Sequence, residues 1–121
     1  MKKILIIDDE EELCSFIKLN LERREDFEVH VCTDSRGAIR SAKQLHPDLI
    51  LLDIVMPGIS GTDIARGLKN DMDTQKIPIV FLKGRSSKEE AEDRQYITVV
   101  DHIVTKPVML NEILIIINML I

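Results

Sequence analysis

Three carboxylates and one amine in this sequence stand at the ends of apolar runs that are predicted to be strands. They are Asp8 and Asp9 after residues 4–7, Asp53 after residues 49–52, and Lys106 near the end of a later run. A carboxylate at the end of a buried strand is costly to bury unless it has a partner. If the strands are parallel and adjacent, the four groups meet at one edge of the sheet, where open α/β sheets bind ligands.

The three acids together predict a site for a hard divalent cation. Adjacent carboxylates repel one another unless a cation lies among them, and Mg²⁺ takes oxygen ligands. Asp53 is the candidate nucleophile because it follows the longest buried strand. A magnesium site beside one nucleophilic carboxylate is typical of phosphoryl chemistry.

The composition is that of one ordinary globular domain. The chain has 121 residues, of which 45% are hydrophobic and 31% are charged, so we expect a single domain over residues 1–121. The net charge of −5 argues against nucleic-acid binding by this domain, because phosphate backbones need clustered Lys and Arg.

The remaining composition predicts a cytoplasmic protein without a membrane role. No apolar run reaches the length of a membrane span, and the first residues lack the features of a signal peptide. The two cysteines, Cys14 and Cys32, match no zinc-ligand spacing, so we expect reduced thiols.

Strand and helix patterns alternate along the whole chain. Strands are predicted at residues 3–8, 27–32, 48–53, 79–82 and 102–104, and helices at 10–24, between 34 and 46, after Ser60, at 86–96 and at 108–121. The second helix is predicted to be capped by Asp34 or Ser35. The second strand alternates polar and apolar residues, which suits a sheet edge. The pattern therefore predicts a three-layer, flavodoxin-like α/β fold, with a five-stranded parallel sheet of order 2-1-3-4-5 and five helices on both faces.

Four segments carry a resemblance that covers essentially the whole chain. They are residues 4–10, residues 47–58, Gly61 and the pair Lys106-Pro107. In this order and spacing they resemble the receiver domain of two-component response regulators. Each motif alone is common, whereas the combination is specific.

The resemblance implies a phosphoacceptor switch rather than an enzyme with its own substrate. Asp53 would take a phosphoryl group from a histidine kinase or a phosphotransfer protein, and the domain would then change its partners. Asp8 and Asp9 would hold Mg²⁺ together with Asp53 and the backbone carbonyl of Val55.

The same resemblance implies roles for the last motif. Lys106 would contact the phosphoryl oxygens, and Pro107 would follow a cis peptide bond. Both roles agree with the chemistry expected from the residues, because a cation offsets the charge that phosphorylation adds.

Two positions depart from the family pattern. The family usually has Thr or Ser at the end of the fourth strand and an aromatic residue three positions before the lysine; this chain has Lys83 and Ile103. We expect Lys83 to reach into the pocket, and the alternative is that it faces solvent. An alternative function is a degenerate receiver that acts as a constitutive protein-interaction module.

Two further hypotheses concern other classes of function. A hydrolase of the haloacid-dehalogenase type needs a second acid two residues after Asp53, and Val55 stands there, which disfavours that class. The last helix is apolar from Ile113 to Ile121 except for Asn118. We expect this helix, together with the helix at 86–96, to contact a second copy or an output domain. The alternative is that its outer face is exposed only because the domain has been cut from a longer chain.

Overall fold

The strands of the protein form one parallel sheet in the order β2-β1-β3-β4-β5. The computed structural model describes residues 1–24, 26–84 and 100–121. The strands are β1 (Lys2–Ile7), β2 (Phe27–Cys32), β3 (Leu49–Asp53), β4 (Ile79–Lys83) and β5 (His102–Thr105). The helices in the described residues are α1 (Glu11–Glu22), α2 (Ala38–Leu45), α3 (Gly61–Lys69) and α4 (Leu110–Leu120). The predicted fold class and strand order are confirmed, and the helix predicted at 86–96 lies outside the described residues.

The core has two layers, one on each face of the sheet. Successive side chains of a strand point to opposite faces. Ile4 and Ile6 of β1 therefore pack with α1 and α4, whereas Leu5 and Ile7 pack with α2 and α3. Such burial on both faces explains why the central strands are continuous apolar runs.

The edge strand differs from the central ones as the sequence predicts. In β2, Phe27 and Val29 are buried, whereas Val31 is 38% exposed near the carboxyl end. None of the described helices is long and apolar enough to cross a membrane.

Local signals at the helix ends explain where α2 and α3 begin and end. The Ser60 hydroxyl accepts a hydrogen bond from the backbone N–H of Asp63 and so caps α3. Helix α2 ends at Leu45, because the next residue, His46, has a φ of 52° in the left-handed region and Pro47 follows it. Asp34 caps a short 3₁₀ turn (Ser35–Gly37), and α2 begins after it with Gly37 at the N-cap position. Neither Asp34 nor Ser35 therefore caps α2 itself, in contrast to the prediction.

Candidate functional site

The register of the sheet brings the three predicted acids together. Ile7 of β1 pairs with Leu52 of β3, so Asp8, one residue past β1, lies beside Asp53 at the end of β3. Each of Asp8, Asp9 and Asp53 offers one carboxylate oxygen, and these oxygens lie within 4.8 Å of one another. Asp8 and Asp53 are buried and Asp9 is exposed.

Asp8 has one satisfied oxygen and one unsatisfied oxygen. Its Oδ1 accepts a hydrogen bond from the Glu10 backbone N–H at 2.9 Å, whereas the buried Oδ2 has no hydrogen-bond partner among the described residues. Lys106 Nζ lies 3.2 Å from Oδ2, as an ion pair without hydrogen-bond alignment. Burial raises the pKa of Asp8, against the lowering effects of the Glu10 amide and the Lys106 charge.

Asp53 is nearly buried, with 5% of its surface exposed. Its Oδ1 accepts a long hydrogen bond of 3.4 Å from the Val55 backbone N–H. Burial, followed by the charge of Asp8, raises the pKa of Asp53 to about 7. Without added positive charge, a substantial share of this carboxyl is therefore protonated near neutral pH.

Lys106 bridges three carboxylates from the loop after β5. Its Nζ lies 2.7 Å from Glu10 Oε1, 3.2 Å from Asp8 Oδ2 and 3.6 Å from Asp53 Oδ1. Burial lowers the pKa of Lys106, but the Glu10 hydrogen bond and the Asp53 and Asp8 charges outweigh burial and raise it. The ammonium therefore stays charged. The following peptide bond, Lys106–Pro107, is cis, as the resemblance implies.

The residues fit a hard divalent cation. Asp8 Oδ2 is a buried oxygen that lacks a hydrogen bond from the described residues, and it belongs to a cluster of three oxygen donors. Mutual repulsion contributes to the raised pKa of Asp53, which a bound cation would reverse. A site of carboxylate oxygens suits Mg²⁺ better than softer metals.

The loop after β3 is fixed to the 3₁₀ turn by a buried hydroxyl. Ser35, which is 3% exposed, donates to Pro57 O at 2.8 Å and accepts from the Ile59 backbone N–H at 2.9 Å. Gly58 has a φ of 90°, and a Cβ there would lie 2.7 Å from Ser35 Oγ. The same loop contains Val55, whose carbonyl stays a predicted metal ligand.

Gly61 closes this loop against the nucleophile. Its backbone N–H donates to Ile54 O at 2.7 Å. A Cβ at Gly61 would lie 2.0 Å from the backbone oxygen of Asp53, so only glycine allows this approach.

The two departures from the family pattern lie on β4 and β5. Lys83 ends β4 half-buried, and its carbonyl accepts from the Lys106 backbone N–H at 2.7 Å. The ion pairs that Asp8 and Asp53 form within the described residues are with Lys106, so the reach of Lys83 into the pocket stays a prediction. Ile103 is half-buried and packs against the core layer of α2 and α3.

Two contributors to the site have long-range partners that the sequence does not indicate. The sequence marks Glu10 only as part of a motif, and its ion pair with Lys106 spans 96 positions of the chain. Ser35 is one of the two residues predicted to cap the second helix, whereas its hydroxyl binds the loop after β3. Both partnerships are long-range, so the local sequence carries no signal for them.

Helix α4 leaves part of its apolar surface uncovered. Ile113, Ile116 and Ile117 are buried, whereas Ile115 is 61% and Met119 is 68% exposed. This exposed pair is the described part of the predicted contact surface.

The chain is similar to response regulators over nearly its whole length. Residues 4–118 match the sequence model of the response regulator receiver domain. The phosphate regulon transcriptional regulatory protein PhoB of Rhizobium meliloti is 35% identical over 115 residues, which are 94% of this chain and 49% of that protein. The chain thus spans about half the length of this relative.

Solved structures give the same comparison for the fold. The signal receiver domain of a signal transduction histidine kinase from Syntrophus aciditrophicus superposes with a TM-score of 0.87 at 25% identity, covering 99% of this chain and 89% of that chain. The chemotaxis protein CheY4 of Vibrio cholerae superposes with a TM-score of 0.86 at 21% identity, covering 100% and 99%. The second likeness supports the fold alone.

Proposed function

This chain belongs to the family of response regulator receiver domains, and from that premise we propose that it is a phosphoacceptor switch of a two-component phosphorelay. The position of Asp53 is the observation that carries the proposal. Asp53 is a nearly buried carboxylate at the carboxyl end of β3, clustered with two other acids and 3.6 Å from the Lys106 ammonium.

In the proposed step, a carboxylate oxygen of Asp53 attacks the phosphorus of a phosphohistidine on a kinase or phosphotransfer protein. An O–P bond forms while the P–N bond breaks, and the leaving imidazole nitrogen keeps the electron pair and takes up a proton. Lys106 offsets the negative charge that the phosphoryl group adds.

Asp8, Asp9, Asp53 and the Val55 carbonyl would hold Mg²⁺ in this proposal. The bound ion supplies positive charge against the phosphoryl oxygens. The unsatisfied Asp8 Oδ2 and the raised pKa of Asp53 support this assignment. Burial and then the charge of Asp8 raise the pKa of Asp53, and a cation bound beside both carboxylates would oppose these effects.

Lys83 is proposed as a second cation for the phosphoryl group. It stands at the end of β4, and its neighbour Leu82 pairs with Asp53 in the sheet. A lysine can bind phosphoryl oxygens where the family has a hydroxyl, because its ammonium is a strong charge-assisted donor. The signal would then leave the site without the hydroxyl and aromatic pair.

Lys83 and Ile103, the two departures from the family pattern, favour the second candidate function. With Lys83 and Ile103 at the switch positions, the domain could keep its pocket and bind partners constitutively, as a degenerate receiver. In either case we propose that the α4 surface of Ile115 and Met119 contacts a second copy or an output domain, since exposed apolar patches mark contacts.

Intact-mass measurement after incubation with Mg²⁺ and a small phosphodonor tests the proposal. Wild type is expected to gain one phosphate and Asp53→Ala none. The matched control is Glu12→Ala, which replaces an exposed acid and should gain one phosphate like wild type. Phosphate retained by Asp53→Ala would identify a different acceptor. Wild type without phosphate would favour the constitutive module.

A further inference from the structure

Glu10 has the shortest contact with Lys106 of the site acids in the described residues. Lys106 Nζ lies 2.7 Å from Glu10 Oε1, compared with 3.2 Å from Asp8 and 3.6 Å from Asp53. The Glu10 contact is also the one that has hydrogen-bond geometry among these three. The ammonium therefore has a closer contact with Glu10 than with the nucleophile.

The backbone places Glu10 for this contact. It precedes α1 in an extended conformation, and its side chain makes no capping hydrogen bond to the helix. Its backbone N–H donates to Asp8 Oδ1 at 2.9 Å, which fixes the residue at the site. Its side chain is 58% exposed, so replacing the carboxylate leaves no cavity.

We propose that Glu10 is a positioning residue that competes with the phosphoryl group on Asp53 for the Lys106 ammonium. The inference rests on the proposed function. A phosphoryl group on Asp53 adds negative charge at the carboxylate that lies 3.6 Å from the ammonium, so it attracts Lys106 in competition with Glu10. Glu10 thus sets how strongly the phosphorylated state is favoured.

Removal of the Glu10 charge is expected to favour phosphoryl binding. Glu10→Gln keeps the shape and a neutral hydrogen bond but lowers the attraction for the ammonium. At saturating Mg²⁺, we expect beryllium trifluoride, a tetrahedral phosphoryl mimic, to bind Glu10→Gln about threefold more tightly, a change typical of one partly exposed ion pair.

Two comparisons separate this mechanism from a general charge effect. Glu11→Gln removes the same charge one residue away, and the mimic should bind it as it binds wild type. In a Lys106→Met background, Glu10→Gln should change nothing further, because the two residues act through one contact. Equal binding by Glu10→Gln and wild type, an equal gain in Glu11→Gln, or an undiminished gain without Lys106 would overturn the inference.

Phosphate incorporation into wild type, measured by intact mass, separates this inference from the proposed function. Wild type without phosphate would overturn both. Wild type with phosphate, together with unchanged mimic binding by Glu10→Gln, would overturn the Glu10 inference alone.

Discussion

The Lys106 ammonium lies 3.2 Å from Asp8 Oδ2, a buried oxygen that has no hydrogen-bond partner among the described residues. The two residues follow β5 and β1, which β3 and β4 separate in the sheet. The long lysine side chain therefore crosses the sheet edge to bring positive charge to the acid cluster. One ammonium shared among several carboxylates leaves the site with excess negative charge, which explains why a divalent cation suits it.

Magnesium is expected to stabilise the protein through Asp9. Ligand binding to the native state alone adds about 2.7 kcal/mol of stability at a hundredfold excess over Kd. Asp9→Ala should lose more than half of this increase without harming the fold, because Asp9 is exposed. Thermal melts across a Mg²⁺ titration measure the effect, with Glu12→Ala as the control. Equal affinities of Asp9→Ala and wild type would remove Asp9 from the ligand set.

Asp53 should make the metal-free protein less stable as pH rises. Burial raises its pKa to about 7, above the unfolded value near 4. Between these values the native state holds a proton that the unfolded state has released, so stability falls as pH rises through this window and levels off above it. Asp53→Asn has no carboxyl at this position to titrate, so its stability does not fall in this way.

Urea unfolding in a chelator at pH 5 and pH 8 tests the prediction. The advantage of Asp53→Asn over wild type should be roughly 2 kcal/mol larger at pH 8 than at pH 5. Glu12→Gln, which alters an exposed acid, should show no such change. A pH-independent difference for Asp53→Asn would contradict a raised pKa.

The acid cluster could be predicted from sequence because two strong signals agree. Apolar runs mark β1 and β3, and the polar alternation of β2 indicates an edge, so the strand order that places Asp8 beside Asp53 follows. The ends of helices are predicted less accurately than their positions. Helix α1 spans Glu11–Glu22 rather than residues 10–24, because the terminal residues of a helix depend on local hydrogen bonds.

The partners of Glu10 and Ser35 could not be predicted. Each depends on how a loop approaches a residue far away in the chain, and neither residue type requires a particular partner. Glu10 resembles any acid at a helix start, and Ser35 resembles any helix cap. Tertiary structure selects one use of these side chains among several that the local sequence allows.

Gly61→Ala should destabilise the protein strongly. The added Cβ would meet the backbone oxygen of Asp53 at 2.0 Å, and backbone cannot yield as a side chain can. We expect a loss of about 3 kcal/mol in urea unfolding. Gly67→Ala in the same helix is the control. Its added Cβ meets only the flexible side chain of Ile39, and alanine has a higher helix propensity than glycine. Similar values for both variants would contradict the close approach.

Lys83→Thr is expected to raise the affinity for Mg²⁺. The lysine ends β4 beside the site, and its ammonium would compete with the metal for the carboxylates. Calorimetric Mg²⁺ titration of Lys83→Thr is compared with that of Lys76→Thr, which replaces an exposed lysine outside the site. Unchanged affinity, with a structure showing the Lys83 amine far from every site carboxylate, would establish that the side chain faces solvent.

Ser35→Ala should weaken both stability and metal binding. The hydroxyl donates to Pro57 O and accepts from the Ile59 N–H, so its loss frees the loop that contains Val55. We expect a loss of roughly 1–2 kcal/mol in urea unfolding, the magnitude for a buried hydrogen-bonding group. Mg²⁺ affinity should fall as well, because ordering the loop then opposes binding.

A matched variant separates the loop effect from general destabilisation. Thr74 lies fully buried in the loop after α3, and its hydroxyl donates to Leu68 O of that helix at 2.7 Å. Thr74→Val should lose similar stability but keep the wild-type affinity for Mg²⁺. If Ser35→Ala also keeps that affinity, the hydroxyl stabilises the fold without positioning the loop for the metal. If both variants lose affinity equally, the weakening reflects stability alone.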